Sequence, residues 1–288
     1  MKKDIELINL STDEFKNLKK VGCGTDGKVF SYTNKILLKI YRENITKIKK
    51  MNELMNKEDK IYERGSLRKI KFDDPLTYFA YDGSENIRLR SIDALKKAVI
   101  KQKHIKRTNL PKGIVKIDNN FAGCIIEKAN GTQIHKLTGM PLKYKYKIIK
   151  NLLLDVEELL NNNVYHVDLS NSPYAKVGYI DEDDNFKFMN GHSHVLVNPI
   201  SLKTNIIDLD GKSTKYMERY NEKSEKECLY NLCLLLIEFL YKIDTDEIRD
   251  IDEIVYRLKD FNLDNDFAQK LANNKFNNIE EIKKGLNL

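Results

Sequence analysis

An α+β fold of two lobes is what the sequence predicts, with a small β-rich lobe over residues 1–130 and a larger, mainly helical one over 131–288. Three observations carry that expectation. Strand-forming runs flank a glycine-rich loop early in the chain, the apolar positions switch to a helical period from residue 143, and 288 residues exceed the size at which one hydrophobic interior tends to divide.

In chain order, Ser11 and Glu14 of STDEFKNL form a capping-box pattern and predict a short helix. The stretch KKVGCGTDGKVFSYTNKILLKIY then reads as two strands around the turn TNK, with Val29, Ile36, Leu37, Leu38 and Ile40 as strand formers. Residues 44–64 and 92–106 read as helices, separated by an irregular stretch containing Asp, Gly and Ser. GIVKIDNNFAGCIIEK predicts strand, Asn-Asn turn and strand. Beyond it, YKYKIIKNLLLDVEELLNNN sets Ile148, Leu152, Val156 and Leu159 on one helical face. A strongly apolar helix follows at 227–241, then two or three amphipathic helices up to Leu288. The loop VYHVDLSNS and the short strands HVLVN and TNIIDLDG lie between the first helix of this lobe and the apolar one.

The bulk numbers argue against several partners. Lys and Arg total 50 against 43 Asp and Glu, a formal charge of +7, but the basic residues are scattered, whereas a nucleic-acid footprint gathers on one face. Even the densest basic stretch, LKKAVIKQKHIKR, carries Leu95, Ala98, Val99 and Ile105 at helical spacing, so its lysines read as a solvated face and nucleic-acid binding is not expected. Cys23, Cys124, Cys228 and Cys233 have neither zinc-site nor disulfide-framework spacing and read as reduced, mostly buried thiols of a cytoplasmic protein. The charged N-terminal stretch lacks an apolar leader core, and LYNLCLLLIEFLY is too short to span a bilayer, so no membrane insertion is expected.

VGCGTDGKVF, residues 21–30, places Gly22, Gly24 and Gly27 at the spacing G-x-G-x-x-G with Val29 behind them. In a dinucleotide-binding fold this motif opens a helix, but here it opens a second strand, and the strand after that carries Lys39 in ILLKIY. With HVDLS at 166–170, HVLVN at 194–198, IIDLDG at 206–211 and the apolar helix following in that order, the chain resembles the protein-kinase-like superfamily over roughly residues 15–275. The resemblance implies a bilobal fold that binds ATP and magnesium in a cleft. It implies that backbone N–H groups of Gly22, Gly24 and Gly27 cover the triphosphate, Val29 packs on the adenine, and Lys39 binds the α- and β-phosphates. Asp208 then holds magnesium and Asp168 orients or deprotonates the acceptor hydroxyl, with His166 a structural histidine of the catalytic loop. Ile126 guards the adenine pocket, and the backbones of Glu127 and Ala129 read the adenine edge.

The pattern departs from the superfamily in four places. Pro173 stands where a magnesium-binding asparagine is expected; an inserted hairpin at about 174–192 displaces that slot to His194, and Asn171 is the candidate oxygen ligand from the near side. Lys39 has Glu53 as its preferred partner, with Glu58 and Asp93 as alternatives, while Asp210 reads as a second metal ligand or a turn cap. No A-P-E motif occurs, and the segment after Gly211 is short, as in small-molecule phosphotransferases acting on aminoglycosides or choline. The full glycine loop is more typical of the protein kinases. The expected activity is therefore that of an atypical bacterial or phage-like Ser/Thr protein kinase, with a small-molecule phosphotransferase and a nucleotide-binding pseudokinase as alternatives; the acceptor is a protein or small-molecule hydroxyl.

Overall fold

The computed structural model describes residues 5–23, 27–41, 87–169, 176–180, 186–190, 193–210, 214–242, 256, 265–273 and 275–288. Within them the chain is a mixed α+β protein built on a six-stranded sheet. Its strands are β1 (Glu6–Leu10), β2 (Lys19–Cys23), β3 (Gly27–Ser31), β4 (Ile36–Tyr41), β5 (Gly113–Ile117) and β6 (Asn120–Glu127). Their order is β1-β5-β6-β4-β3-β2, and only the β1–β5 pair is parallel. The edge strand β1 has no counterpart in the sequence reading.

Between β1 and β2, α1 (Thr12–Lys16) starts on the predicted capping box: the Ser11 side chain accepts from the Glu14 N–H and the Glu14 carboxylate accepts from the Ser11 N–H. The β5–β6 turn falls one residue earlier than the expected Asn-Asn. Asp118 and Asn119 take the two positive φ values, 47° and 67°, while Asn120 already pairs with Ile117. A two-residue hairpin of type I′ needs left-handed backbone at both central positions, and Asp and Asn tolerate it.

The helix expected over 92–106 is α2 (Ile87–Lys101), displaced toward the N-terminus. Past its end, Gln102 donates to the carbonyls of Ile105 and Thr108 and accepts from the Leu110 N–H, so the following residues are folded around this amide rather than continuing the helix. The helix expected at 44–64 lies outside the described residues.

The rest of the chain combines helices with short strand pairs. β7 (Thr132–Gln133) precedes a one-turn 3-10 helix over Ile134–Leu137 and α3 (Leu142–Asn161). The four positions predicted for the face of α3, Ile148, Leu152, Val156 and Leu159, are all buried. Then come β8 (Val164–His166), the antiparallel hairpin β9 (Lys176–Ile180) and β10 (Phe186–Asn190), β11 (Val195–Val197), β12 (Thr204–Ile206) and β13 (Thr214–Tyr216). The hairpin matches the expected insertion, and its predicted turn at Asp183–Asn185 lies outside the described residues. β12, β11 and β7 form one small sheet and β13 pairs with β8. α4 (Glu222–Tyr241) begins five residues before the predicted 227, capped by the Asn221 side chain, which accepts from the Ser224 N–H. α5 (Asn265–Ala272) and α6 (Ile279–Gly285) follow.

Apolar burial divides accordingly. Leu10, Phe30, Leu38, Ile40, Val115, Ala122 and Ile125 fill one face of the large sheet, whereas a much larger cluster runs through α3, α4, α5, α6 and the small strands. Among the described residues no helix is long and apolar enough to cross a membrane. Cys124, Cys228 and Cys233 are free and buried.

One buried charge supports the larger core. Lys145 on α3 is only 4% exposed, and its ammonium donates to the carbonyls of Phe239 and Leu240 in the last turn of α4. Replacing it by methionine keeps the packing but removes both bonds. Urea unfolding of Lys145→Met is expected to show a loss of about 2 kcal/mol, the scale of hydrogen bonds to a charged donor; a loss below about 0.5 kcal/mol would show the contact to be incidental.

Candidate active site

Directly opposed residues of an antiparallel pair share a sheet face, and the ladder therefore sets Gly22, Val29, Lys39, Cys124 and Ile114 in one row across five strands. Of the residues the sequence singles out, Gly22, Val29 and Lys39 are thus side by side. Ile126, two residues beyond Cys124 on the same face, packs against the Tyr41, Leu95 and Cys124 cluster. Glu127 pairs with Ile36 in the ladder while its carboxylate binds Lys112, and Ala129, half-buried, follows the end of β6. Gly24, Glu53 and Asn171 lie outside the described residues.

The glycines divide by cause. A Cβ on Gly27 would stand 2.3 Å from the Ile40 carbonyl oxygen, so this position is glycine because β3 and β4 close tightly there. Among the described residues a Cβ on Gly22 would meet nothing within 4 Å, so their packing gives no reason for glycine at 22. Gly123 was not singled out by the sequence: a Cβ there would sit 1.9 Å from the Lys39 carbonyl oxygen. Its absence of a side chain lets β6 approach the backbone of the lysine.

Lys39 is 7% exposed and its ammonium is bound on the other side of the molecule's strand map, 169 positions along the chain. It contacts Asp208, and Asp210 Oδ2 at 2.9 Å, two carboxylates from the turn that follows β12. The partner offered by the described residues is therefore this turn. Asp210 Oδ2 points at the Lys39 ammonium; the sequence signal for it was the alternating D-L-D of IDLDG, which cannot say where a turn side chain aims. The Lys39 ammonium and the His194 ring overcome the cost of burying the Asp208 carboxyl and hold it well below the usual carboxylate range. Cys124 beside Lys39 is no nucleophile, since burial and then the Asp210 charge push its thiol up.

Asp208 has φ 64°, left-handed for a residue with a side chain. The surroundings fix that conformation: the Ile207 N–H donates to the His194 carbonyl at 2.8 Å, and the Tyr216 hydroxyl donates to the Leu209 carbonyl. β12 is itself tied to α3, because the Thr204 hydroxyl donates to the buried Asp155, which also accepts from Arg107 Nε at 2.7 Å.

Asp168 follows β8 and lies next to the same turn through His194. The His194 ring is near both carboxylates, Nδ1 3.8 Å from Asp168 Oδ2 and Nε2 3.8 Å from Asp208 Oδ2. Burial works against charging this ring, but Asp208, Asp168 and the Asp168 carbonyl outweigh it and raise the pKa above its ordinary 6.5. His166 is fully buried, its Nδ1 2.9 Å from the Thr214 hydroxyl across the β8–β13 pair, a position that braces the loop. The structure thus brings Lys39, Asp168, Asp208 and His194 to one place, with Asp210 added.

Chemically, a buried ammonium beside two carboxylates, with a third carboxylate across a histidine, can bind an anion and a hard cation together. Among the described residues no group of three His, Cys, Asp or Glu is arranged to hold a metal ion by itself. No protein-family model matches the chain, and no curated protein matches it.

Proposed function

We propose that the chain is an ATP-dependent phosphotransferase with a bilobal, protein-kinase-like arrangement, the large sheet forming the N-lobe of residues 1–130 and the remainder the C-lobe. One observation carries the reading: Lys39 of the sheet meets the Asp208 turn while Asp168 stands beside it, so motif residues far apart in sequence converge on one ionic centre. Val29 and Ile126, on the same sheet face as Lys39, supply apolar surface for a base, and the backbones of Glu127 and Ala129 its polar edge. Gly22 and Gly27 bring main-chain N–H groups near the phosphates. Asp208, its side chain 25% exposed, holds magnesium, which when bound neutralises charge on the phosphates. Lys39 neutralises the same phosphates from the sheet side, and Asp168 accepts the proton of the attacking hydroxyl.

The favoured acceptor is a Ser or Thr hydroxyl of a protein. A second reading, a small-molecule phosphotransferase, is favoured by the brevity of the segment after the metal turn: β13 ends at Tyr216 and the N-cap of α4 is Asn221. Little chain is left there to dock a peptide. Incubation with γ-labelled ATP and magnesium tests both readings: label on protein supports the first, label on a small hydroxyl compound the second. No transfer to either, with ATP binding retained, would leave a nucleotide-binding pseudokinase and contradict the enzyme assignment.

A further inference from the structure

One residue ties the loop that carries Asp168 to the turn that carries Asp208. His194 donates its backbone N–H to the Leu169 carbonyl at 3.1 Å, and its own carbonyl accepts from the Ile207 N–H at 2.8 Å. Its ring Nδ1 lies against the Asp168 carbonyl oxygen. A carbonyl can only accept, so Nδ1 carries the proton and donates. The remaining nitrogen, Nε2, faces Asp208 Oδ2. These contacts join the end of β8, the start of β11 and the end of β12, the three places from which the lower half of the site is built. His194 is 5% exposed, so the ring has little room to turn away.

A ligand role suits this ring poorly, because Nδ1 is engaged by a backbone carbonyl and imidazole nitrogen is a weak partner for magnesium. From the geometry we infer that His194 is a positioning residue: its Nδ1–H bond to the Asp168 carbonyl sets the separation of the Asp168 and Asp208 carboxylates. The inference rests on the phosphotransferase reading in one respect, that these two carboxylates flank the transferred group. Misplacing a catalytic group by about 1 Å can cost on the order of a hundredfold in rate.

Two isosteres separate the two ring nitrogens. The amide nitrogen of asparagine falls near Nδ1 and that of glutamine near Nε2, so His194→Asn preserves the bond to Asp168 and His194→Gln loses it. In transfer assays, His194→Gln and His194→Ala are expected to lower kcat at least about tenfold more than His194→Asn does, with ATP affinity changed less than about threefold among the three variants. Amide hydrogen exchange supplies a readout that needs no activity: exchange at His194 and Ile207 is expected to quicken at least about tenfold in the glutamine and alanine variants and not in the asparagine variant. Equal behaviour of the asparagine and glutamine variants in exchange, or a loss confined to ATP affinity, would overturn the inference. Should the native protein transfer no phosphate, the enzyme reading fails, and the exchange comparison still decides whether His194 holds the loop.

Discussion

Asp208→Asn is expected to lower phosphoryl transfer at least about a hundredfold while the protein still folds, the scale lost when one preorganised electrostatic group is removed from an active site. The carboxylate has three features that set it apart from a surface aspartate. It is held ionised by Lys39 and His194, it is fixed at φ 64° by the bonds around it, and its side chain remains partly accessible. Asparagine keeps the shape and the turn, but it removes the charge that magnesium needs. The expected kinetic signature is a fall in kcat together with a raised magnesium requirement. Transfer by a purified, folded Asp208→Asn protein at the native rate would remove Asp208 from the mechanism.

Lys39→Met is expected to destabilise the fold by about 3–5 kcal/mol as well as to abolish transfer, because removing one partner of a buried ion pair leaves its mate uncompensated. In the structure, Lys39 and Asp210 have side chains only 9% and 3% exposed, and Asp208 faces the same ammonium. The double replacement Lys39→Met with Asp210→Leu should recover part of that loss, so urea unfolding of the two singles and the double gives a coupling energy of at least about 1 kcal/mol. Additive losses would show that the pair is not coupled.

The pH dependence has a definite sign. Asp208 ionises in the folded protein below its ordinary value of 3.8, so its contribution is fully present above that value and is lost as pH falls through the depressed folded pKa. The cost of Lys39→Met should therefore be complete at neutral pH and shrink in acid below about pH 4.

Local signals were legible in the sequence, and long-range ones were not. Ser11 with Glu14 gave the first helix because a capping box is satisfied within four residues, and Ile148, Leu152, Val156 and Leu159 gave α3 because its period is internal to the helix. The glycine hairpin, Lys39 and the order of the loops were likewise readable. β1 was not, since ELINL becomes a strand only through parallel pairing with GIVKI far along the chain. Lys145 reads as one more lysine of a basic stretch, yet it satisfies the end of a helix 94 positions away. Asp210 and His194 belong to the same class. Their residue types were visible, but which group each faces depends on how two turns meet, and neither periodicity nor spacing encodes that.

Titration calorimetry of ATP into the native protein and into Asp208→Asn, each with and without magnesium, decides whether ATP and magnesium bind where Lys39 meets the Asp208 turn. One site per chain is expected on the native protein, tightened at least about tenfold by magnesium, with that tightening lost in the variant, a difference of about 1.4 kcal/mol. No binding to the native protein, or the same magnesium-dependent tightening in both, would contradict it.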